Sequence, residues 1–329
     1  MHIDAFFHSW VGMFVTQSIL HTLVAALIVD TALSAWNIAN PAVRQRFRLL
    51  VVILPVVTFP LYQAISPERG SPLFRLDAVL DVTRWFNLQL WGAFPLGLLF
   101  LAFCALTSAL FAFQELLPII KHTSAAPLDD DEACTPEPGS PLDQALKSIP
   151  GPRPEAMIID EAECIIFSST GKRPVVYISR MFVLSLTPEE LRAAVAHEIA
   201  HIRRSRRPTM VMLFLLRSLL FFNPVILMEF RRIIQEEEKI CDDFGAALSG
   251  RSAMAQALVK FRDCEHAEQA VLFSDMASPL RDRIVEYGQS VQFSNRIDRL
   301  EENPAAPANS IVVFCCVLAT IVTVNYYLV

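Results

Sequence analysis

The chain has 329 residues, of which 53% are hydrophobic and only 19% are charged, and its mean hydropathy is +0.40. Soluble domains carry about 45–50% apolar and about 25% charged residues, so this composition indicates a membrane protein and excludes a disordered chain or a soluble secreted module. The net charge of −6 offers no basic surface for phosphates, so we expect no direct binding of nucleic acid.

Four apolar runs are candidates to cross the lipid bilayer, which takes about 20 apolar residues. They are Trp10 to Val29, Leu49 to Ile65, Leu90 to Phe113 and Ser310 to Leu328. Arg44 and Arg46 lie between the first two runs, in a link from Ala35 to Phe47 that has no acidic residue, and the positive-inside rule places such a link in the cytoplasm. We therefore expect a multi-pass protein of the inner membrane, with its N-terminus outside and the long segment after the third run in the cytoplasm.

Polar residues also occur within the first run. Gln17 and His21 lie one helical turn apart, and Asp30 lies near the inner end. Such groups are costly in a bilayer and often functional, but hydrogen bonding between packed helices is the more common reason for them, and we favour it here. A transporter or channel is disfavoured because the four runs show no internal repeat.

The composition changes after the third run. Segment 121–155 is rich in proline and acidic residues, which predicts a solvated linker. We expect this linker to separate an N-terminal membrane region (1–120) from a metallopeptidase-like domain (156–305), which a last membrane helix (306–329) follows. The seven cysteines show neither a disulfide framework nor a Cys-x-x-Cys spacing, so they are expected to be mostly free thiols.

Two β-rich runs follow the linker, Ala156 to Ser168 and Val175 to Ser179, and the Gly- and Pro-containing segment 169–174 between them predicts a hairpin. Thr187-Pro188-Glu189-Glu190 then combines an N-cap threonine, a proline at the first helical position and a glutamate three residues after the cap. This capping box predicts a helix that begins at Pro188.

The predicted helix carries His197-Glu198-Ile199-Ala200-His201, a His-Glu-x-x-His motif. Positions i and i+4 share one helical face, so both imidazoles can bind a single Zn²⁺ while Glu198 lies beside it as a general base. Chance alone gives this pattern in roughly one such chain per hundred, so the assignment depends on a third ligand.

Glu238 and Asp242 are also four residues apart, in a helical stretch farther along the chain. Glu238 is the expected third metal ligand, and the fourth position is left to water. Asp242 is expected to accept the free N–H of one ligand histidine. A solvated acidic face is the alternative, and it fits Glu236 and Glu237, which point elsewhere and are expected at the surface. Cys241 is expected to pack.

An apolar stretch, Pro208 to Phe230, separates the two halves of the predicted site. A single crossing of the bilayer would place Glu238 and His197 on opposite sides. The first arm (209–222) would be about 21 Å long as a helix, which is too short to span a bilayer core of about 30 Å. We therefore predict a re-entrant helical hairpin at 208–230 that turns at Asn223-Pro224 within the inner leaflet.

This order of motifs resembles the integral-membrane metallopeptidases of the BlaR/MecR antirepressor type, gluzincins distantly related to the HtpX-like proteases and the CAAX prenyl endopeptidase. The resemblance implies a mostly α-helical polytopic membrane protein, with about four transmembrane helices and a cytoplasmic zincin-like α+β domain that holds a small β-hairpin and the His-Glu-x-x-His helix. In that family the equivalents of His197, His201 and Glu238 bind one zinc ion, and the equivalent of Glu198 activates water.

The resemblance implies a membrane-embedded zinc endopeptidase that hydrolyses peptide bonds at the cytoplasmic face. Its expected partners are the lipid bilayer and a protein or peptide substrate, such as a winged-helix repressor or a membrane protein in signal transduction. The alternative is a non-catalytic signalling scaffold with a structural zinc site, and Glu198 argues against it because a structural site has no use for a base. The chain ends with its last apolar run, so we expect no C-terminal sensor domain.

Two features of substrate handling stay open. The strand at Val175, Val176 and Tyr177 is a candidate to hold an extended substrate by strand addition, and simple packing is the alternative. The residue that stabilises the oxyanion is not assigned, because four side chains are chemically eligible: Tyr177, His266, Tyr287 and Arg296.

Overall fold

The structure is a computed structural model that describes residues 6–7, 9–66, 85–92, 94–113, 133–160, 164–169, 173–205, 208–272, 293–302 and 310–328, without the side chains of 133, 205, 265–272 and 310. Within these ranges the chain is mostly helical and contains a two-stranded and a four-stranded sheet. It divides into two compact units. The first unit is Met1–Ala125, Val211–Glu236 and Ala305–Val329, and the second unit is Ala126–Met210 and Glu237–Pro304.

Two helices of the first unit are long and apolar enough to cross a membrane, namely α1 (Trp10–Ala35) and α2 (Pro41–Ile65). Pro55 and Pro60 lie inside α2 without ending it. The last described helix of the chain, α11 (Ser310–Tyr327), is apolar but shorter than these two. These helices support a membrane protein, and the four predicted crossings stay a prediction.

The third apolar run is not helical throughout. Strand β1 (Gln89–Leu90) pairs antiparallel with β2 (Phe94–Pro95), and helix α3 (Leu96–Phe111) begins only after this hairpin. Gly92, in the turn, has a φ of 71°, a left-handed conformation that glycine adopts without a Cβ penalty. The helix therefore has 16 residues, and the span that we expected to begin at Leu90 begins six residues later.

A cluster of four charged side chains, here called the ion-pair cluster, joins helices of the first unit. The Arg48 guanidinium lies 2.9 Å from a carboxylate oxygen of Glu229, and these side chains are 7% and 1% exposed. Arg232 lies 2.7 Å from Glu229 and 2.9 Å from Asp30. Glu229 and Arg232 belong to α8 (Pro224–Ser249), so the cluster ties the N-terminal part of that helix to α1 and α2.

Buried polar side chains in the first unit contact neighbouring segments of the chain, and for His21 this agrees with the packing interpretation. His21 Nε2 lies 3.1 Å from the carbonyl oxygen of Leu328. Asn223 Nδ2 donates to the Thr22 hydroxyl at 3.0 Å. Gln17 is also buried.

The apolar stretch between the two halves of the predicted site forms two helices. Helix α7 (Pro208–Leu219) ends shortly before α8 begins at Pro224. The Phe214 and Phe230 rings lie 5.2 Å apart between their centroids, and the Arg217 guanidinium lies 3.8 Å above the Phe230 ring. These contacts place Phe230, in the second turn of α8, against α7. The insertion of this hairpin into a membrane stays a prediction.

The sheet of the second unit has four strands: β3 (Ala133–Cys134), β4 (Glu155–Ile159), β5 (Ile166–Ser169) and β6 (Val175–Ser179). Their spatial order is β3-β4-β6-β5. Strands β5 and β6 are antiparallel, as expected of the predicted hairpin, whereas β4 and β6 are parallel. The β-rich run from residue 156 to 168 therefore contributes to two separate strands, β4 and β5.

The C-terminal part of the expected linker is not solvated. Residues of β3 pair with β4, and α4 (Pro141–Ser148) follows a Ser140 N-cap. The Leu142 side chain is fully buried, and Leu146 is 7% exposed in the same core. The apolar residues recur at the spacing of one helical face, so this segment gains enough burial to fold although proline and acidic residues surround it.

The expectation of mostly free thiols needs one correction. Cys164 and Cys264 form a disulfide in the structure, with 5.9 Å between their Cα atoms, a separation that suits a disulfide. The two residues are 100 positions apart, so no local spacing could have shown the pairing. The other five cysteines are free.

The remaining helices of the second unit are α5 (Arg180–Ser185), α6 (Pro188–Ser205), α9 (Arg251–Leu272) and α10 (293–301). Helix α6 is central, since it packs against α4, α9 and strands β5 and β6. Leu191, Val195 and Ile199 of α6 are at most 2% exposed. This packing fixes the helix that carries the His-Glu-x-x-His motif.

Candidate metal centre

The first two candidate ligands lie on α6, and the start of this helix follows the capping box. The Thr187 N–H donates to the Glu190 carboxylate at 2.8 Å, and the Glu190 N–H donates to the Thr187 hydroxyl at 3.4 Å. One face of α6 then presents both imidazoles, with His197 Nε2 and His201 Nε2 3.0 Å apart. The i, i+4 spacing therefore brings the two nitrogens together.

Glu238 of α8 supplies the third candidate ligand. Its Oε2 lies 3.6 Å from His197 Nε2, and its Oε1 lies 3.3 Å from His201 Nε2. One ligand atom from each of the three residues lies within 4.8 Å of the other two. Among the described residues, this is the group of His, Cys, Asp and Glu side chains that could hold a metal ion.

These separations fit a tetrahedral zinc ion. Nitrogen and carboxylate oxygen ligands lie about 2.0–2.2 Å from Zn²⁺, so two ligand atoms of a tetrahedral site are about 3.3 Å apart. The observed separations are 3.0, 3.3 and 3.6 Å. The donor set of two imidazoles and one carboxylate is also that of a catalytic zinc site, with one position left for water or substrate.

Each imidazole has a partner at its other nitrogen, and both partners are neighbours on α8. Asp242 Oδ1 lies 3.0 Å from His197 Nδ1, and Cys241 Sγ lies 3.6 Å from His201 Nδ1. A carboxylate at Nδ1 favours the tautomer that leaves the Nε2 lone pair available to a metal, and Asp242 is in position to act in this way on His197. Cys241 contacts His201, a candidate ligand, whereas sequence reasoning assigned it only to packing.

The electrostatic environment of the site favours positive charge at its centre. Burial alone would lower the pKa of His197, but the adjacent Asp242 and Glu238 carboxylates outweigh it and raise the pKa to about 9. Burial opposes ionisation of Glu238 too, yet the two histidines hold its pKa below the usual range. Burial is also the main reason why the pKa of the Cys241 thiol is raised, so this residue stays neutral.

Arg296 of α10 is a member of the site that sequence reasoning named only for another role. Its Nε lies 2.8 Å from Asp242 Oδ2, its Nη2 lies 2.6 Å from Asp242 Oδ1, and its Nη1 lies 3.2 Å from Glu238 Oε2. Of the other residues eligible to stabilise an oxyanion, Tyr177 stacks on Phe167 at 4.9 Å. The side chain of His266 and all of Tyr287 lie outside the described part of the chain.

The two glutamates before Glu238 are not surface residues, so that expectation was wrong. Glu236 is 3% exposed and pairs with Arg44 at 2.9 Å. Glu237 is 6% exposed and pairs with Arg204. The prediction that Glu236 and Glu237 point away from the site was correct, since neither belongs to the His–His–Glu group. The error arose because a residue that points away from one site can still be buried against another helix.

Glu198, the expected general base, follows His197 directly on α6 and is 8% exposed. Glu198 is therefore buried rather than solvated at the surface. A carboxylate next to a ligand histidine is the arrangement that lets a general base reach water in such sites.

The strand expected to bind substrate is in the interior of the sheet. Strand β6 is hydrogen-bonded to β4 on one side and to β5 on the other, and Val175 and Val176 are buried. Neither edge of β6 can therefore add a substrate strand, and Val175, Val176 and Tyr177 serve packing. Strand β5 (Ile166–Ser169), next to α6, is the outermost described strand on that side.

Comparison with known families gives a match to a peptidase family. Residues 167–285, a little over a third of the chain, match the family model of the BlaR1 peptidase M56. The matched segment begins in β5, contains α6 with the two histidines and α8 with Glu238, and ends before α10. No curated protein sequence matches the chain.

Proposed function

We propose that the protein is a membrane-embedded zinc endopeptidase that cleaves peptide bonds at the cytoplasmic face, in keeping with the match of residues 167–285 to the family model of the BlaR1 peptidase M56. The observation that carries the proposal is the His197–His201–Glu238 group, which has the separations of a tetrahedral zinc site and a glutamate, Glu198, next to it in sequence.

The chemistry follows from the residues that surround the ion. Zn²⁺ held by the three side chains would polarise the scissile carbonyl and increase the acidity of a water molecule. Glu198 would accept the proton of that water and pass it to the leaving amine. Asp242, 3.0 Å from His197 Nδ1, would hold that imidazole in the tautomer that binds a metal through Nε2. The site therefore supplies a base, an electrophile and fixed ligands for amide hydrolysis.

The cytoplasmic location rests on the sequence and on the length of α7. Helix α7 has 12 residues, about 18 Å at 1.5 Å per residue, which is too short to cross a bilayer core of about 30 Å. The return of the chain in α8 then keeps His197 and Glu238 on one side. We propose a multi-pass protein of the inner membrane with its N-terminus outside and this site facing the cytoplasm.

The proposed substrate is an extended peptide segment of a protein, either a winged-helix repressor or a membrane protein that acts in signal transduction. Such a segment would pair with the outer edge of β5 rather than with β6, because β6 has both edges occupied. Main-chain hydrogen bonds to a strand edge give affinity without a fixed side-chain sequence. The net charge of −6 supports a protein substrate rather than nucleic acid.

Purified full-length protein in detergent, compared with the Glu198→Gln variant, tests this function. Both proteins are loaded with zinc, the metal content is measured, and cleavage of casein and of the chain itself is followed. We expect equal zinc content, cleavage by the wild type and its loss in the variant, because the variant keeps the ligands and lacks the base. Equal cleavage by both, or zinc binding without cleavage by the wild type, would contradict the peptidase and support a structural zinc site in a signalling scaffold.

A further inference from the structure

We infer that Arg296 is a positioning residue of the metal centre, which orients Asp242 and Glu238 together. This inference rests on the proposed function only for the identity of the metal. The matched family segment ends at residue 285, so the match itself assigns nothing to Arg296. The argument depends on the three guanidinium nitrogens of this side chain and on the helix that carries it.

Arg296 holds Asp242 by a two-bond fork. Its Nε lies 2.8 Å from Oδ2 and its Nη2 lies 2.6 Å from Oδ1 of Asp242, whose side chain is fully buried. A planar guanidinium that pairs with both carboxylate oxygens fixes the plane of that carboxylate. Asp242 Oδ1 is thereby held 3.0 Å from His197 Nδ1. Arg296 thus acts on the orientation of His197 through Asp242.

The third nitrogen of the same guanidinium acts on a different ligand. Arg296 Nη1 lies 3.2 Å from Glu238 Oε2, while the other oxygen, Oε1, lies 3.3 Å from His201 Nε2. One oxygen of Glu238 is therefore paired with the arginine. Arg296 in this way sets the orientation of two of the three candidate ligands, His197 indirectly and Glu238 directly.

This geometry argues against the alternative role of Arg296 in oxyanion stabilisation. All three guanidinium nitrogens already face carboxylate oxygens of Asp242 or Glu238, and the side chain is only 13% exposed. A donor that stabilises an oxyanion must point at the position that the substrate oxygen will occupy. Arg296 instead balances the negative charge of two neighbouring carboxylates, one of them fully buried.

Helix α10 is anchored independently of these contacts. Ile297 and Leu300 are 7% and 2% exposed, in one hydrophobic cluster with Ala193 of α6 and Met254 of α9. Arg299, one turn after Arg296, pairs with Asp243 at 2.9 Å and donates to a backbone carbonyl. The apolar anchor and Arg299 keep the helix in place, which makes Arg299 a suitable control because it contributes to docking without touching the candidate ligands.

The test compares zinc affinity, kcat and KM of full-length wild type, Arg296→Gln, Arg296→Lys and Arg299→Gln. Zinc affinity is measured by competition with a chromophoric chelator, which needs no peptidase activity. Loss of a residue that orients metal ligands typically lowers affinity 10- to 100-fold, and we expect this for Arg296→Gln. Arg296→Lys should recover part of the loss, because lysine restores the charge but not the fork. We also expect kcat to fall more than KM rises.

Arg299→Gln should bind zinc as the wild type does, and its thermal midpoint should fall together with that of Arg296→Gln. Wild-type zinc affinity in Arg296→Gln, or an equal loss in Arg299→Gln, would overturn the inference and leave Arg296 with a role in docking α10 only. Should Arg296→Gln fail to fold, the comparison of Arg296→Lys with Arg299→Gln decides by the same criterion. Normal zinc affinity without cleavage in the wild type would refute the proposed peptidase and leave this inference standing.

Discussion

The ion-pair cluster of the first unit offers a stability prediction that the structure makes quantitative. Glu229, whose side chain is 1% exposed, accepts from Arg48 at 2.9 Å and from Arg232 at 2.7 Å. Glu229→Gln keeps the shape of the side chain but removes its charge. Breaking a buried pair by removing one partner costs about 3–5 kcal/mol, because the other charge is left uncompensated. Arg48, at 7% exposure, would then keep only the more exposed Asp30 carboxylate, 3.2 Å away, as its ion-pair partner in the cluster.

A matched control lies in the same cluster. The Asp30 side chain is 42% exposed and lies 3.2 Å from Arg48 and 2.9 Å from Arg232. Solvent screens such pairs, so Asp30→Asn should cost about 1 kcal/mol or less. Unfolding of the detergent-solubilised protein by heat and by denaturant gives both differences. Equal stability losses in Glu229→Gln and Asp30→Asn would refute the reasoning, since burial would then not decide the cost.

Three further predictions concern the second unit. Leu142→Ala in α4 removes a fully buried side chain and should cost about 2–5 kcal/mol in a denaturation experiment, whereas a solvated linker predicts no loss. The pKa of Glu190 is held below its ordinary value of 4.5, since the Lys260 and Thr187 hydrogen bonds outweigh the effect of burial. A carboxylate whose pKa is lower in the folded than in the unfolded protein stabilises the fold at pH values above its unfolded pKa, and this stabilisation is lost in acid. The difference in free energy of unfolding between wild type and Glu190→Gln should therefore be full at pH 7 and shrink as the pH falls below about 4.5. A difference that stays constant with pH would contradict this prediction. Removal of zinc by a chelator should abolish cleavage and lower the thermal midpoint, because a ligand present at 100 times its Kd stabilises by about 2.7 kcal/mol, and an unchanged midpoint would speak against a metal in the folded protein.

The parts of the site that could be predicted from sequence are those set by helical geometry. The capping box at Thr187 and the i, i+4 spacings of His197 with His201 and of Glu238 with Asp242 each depend on one helix. Local sequence therefore contains the information needed for them. The contact between α6 and α8 was inferred only because Glu238 could complete a zinc site with His197 and His201.

The features that could not be predicted depend on which elements become neighbours. Arg296 reaches the site from α10, more than 50 residues after Glu238, and no spacing rule connects them. Strand β6 looked like an available edge because its pairing with β4 depends on a parallel connection across the sheet. Burial of Glu236 likewise depends on Arg44, 192 residues away. These contacts are tertiary, so a single sequence does not contain a local signal for them.

The most direct measurement of the central claim is X-ray absorption at the zinc edge of the purified, zinc-loaded protein. The account predicts one zinc per chain with only nitrogen and oxygen neighbours at about 2.0–2.2 Å, two of them imidazoles, and loss of tight zinc binding in Glu238→Gln. A sulfur neighbour at about 2.3 Å, such as the Cys241 thiolate would give, or an unchanged spectrum in Glu238→Gln, would contradict it.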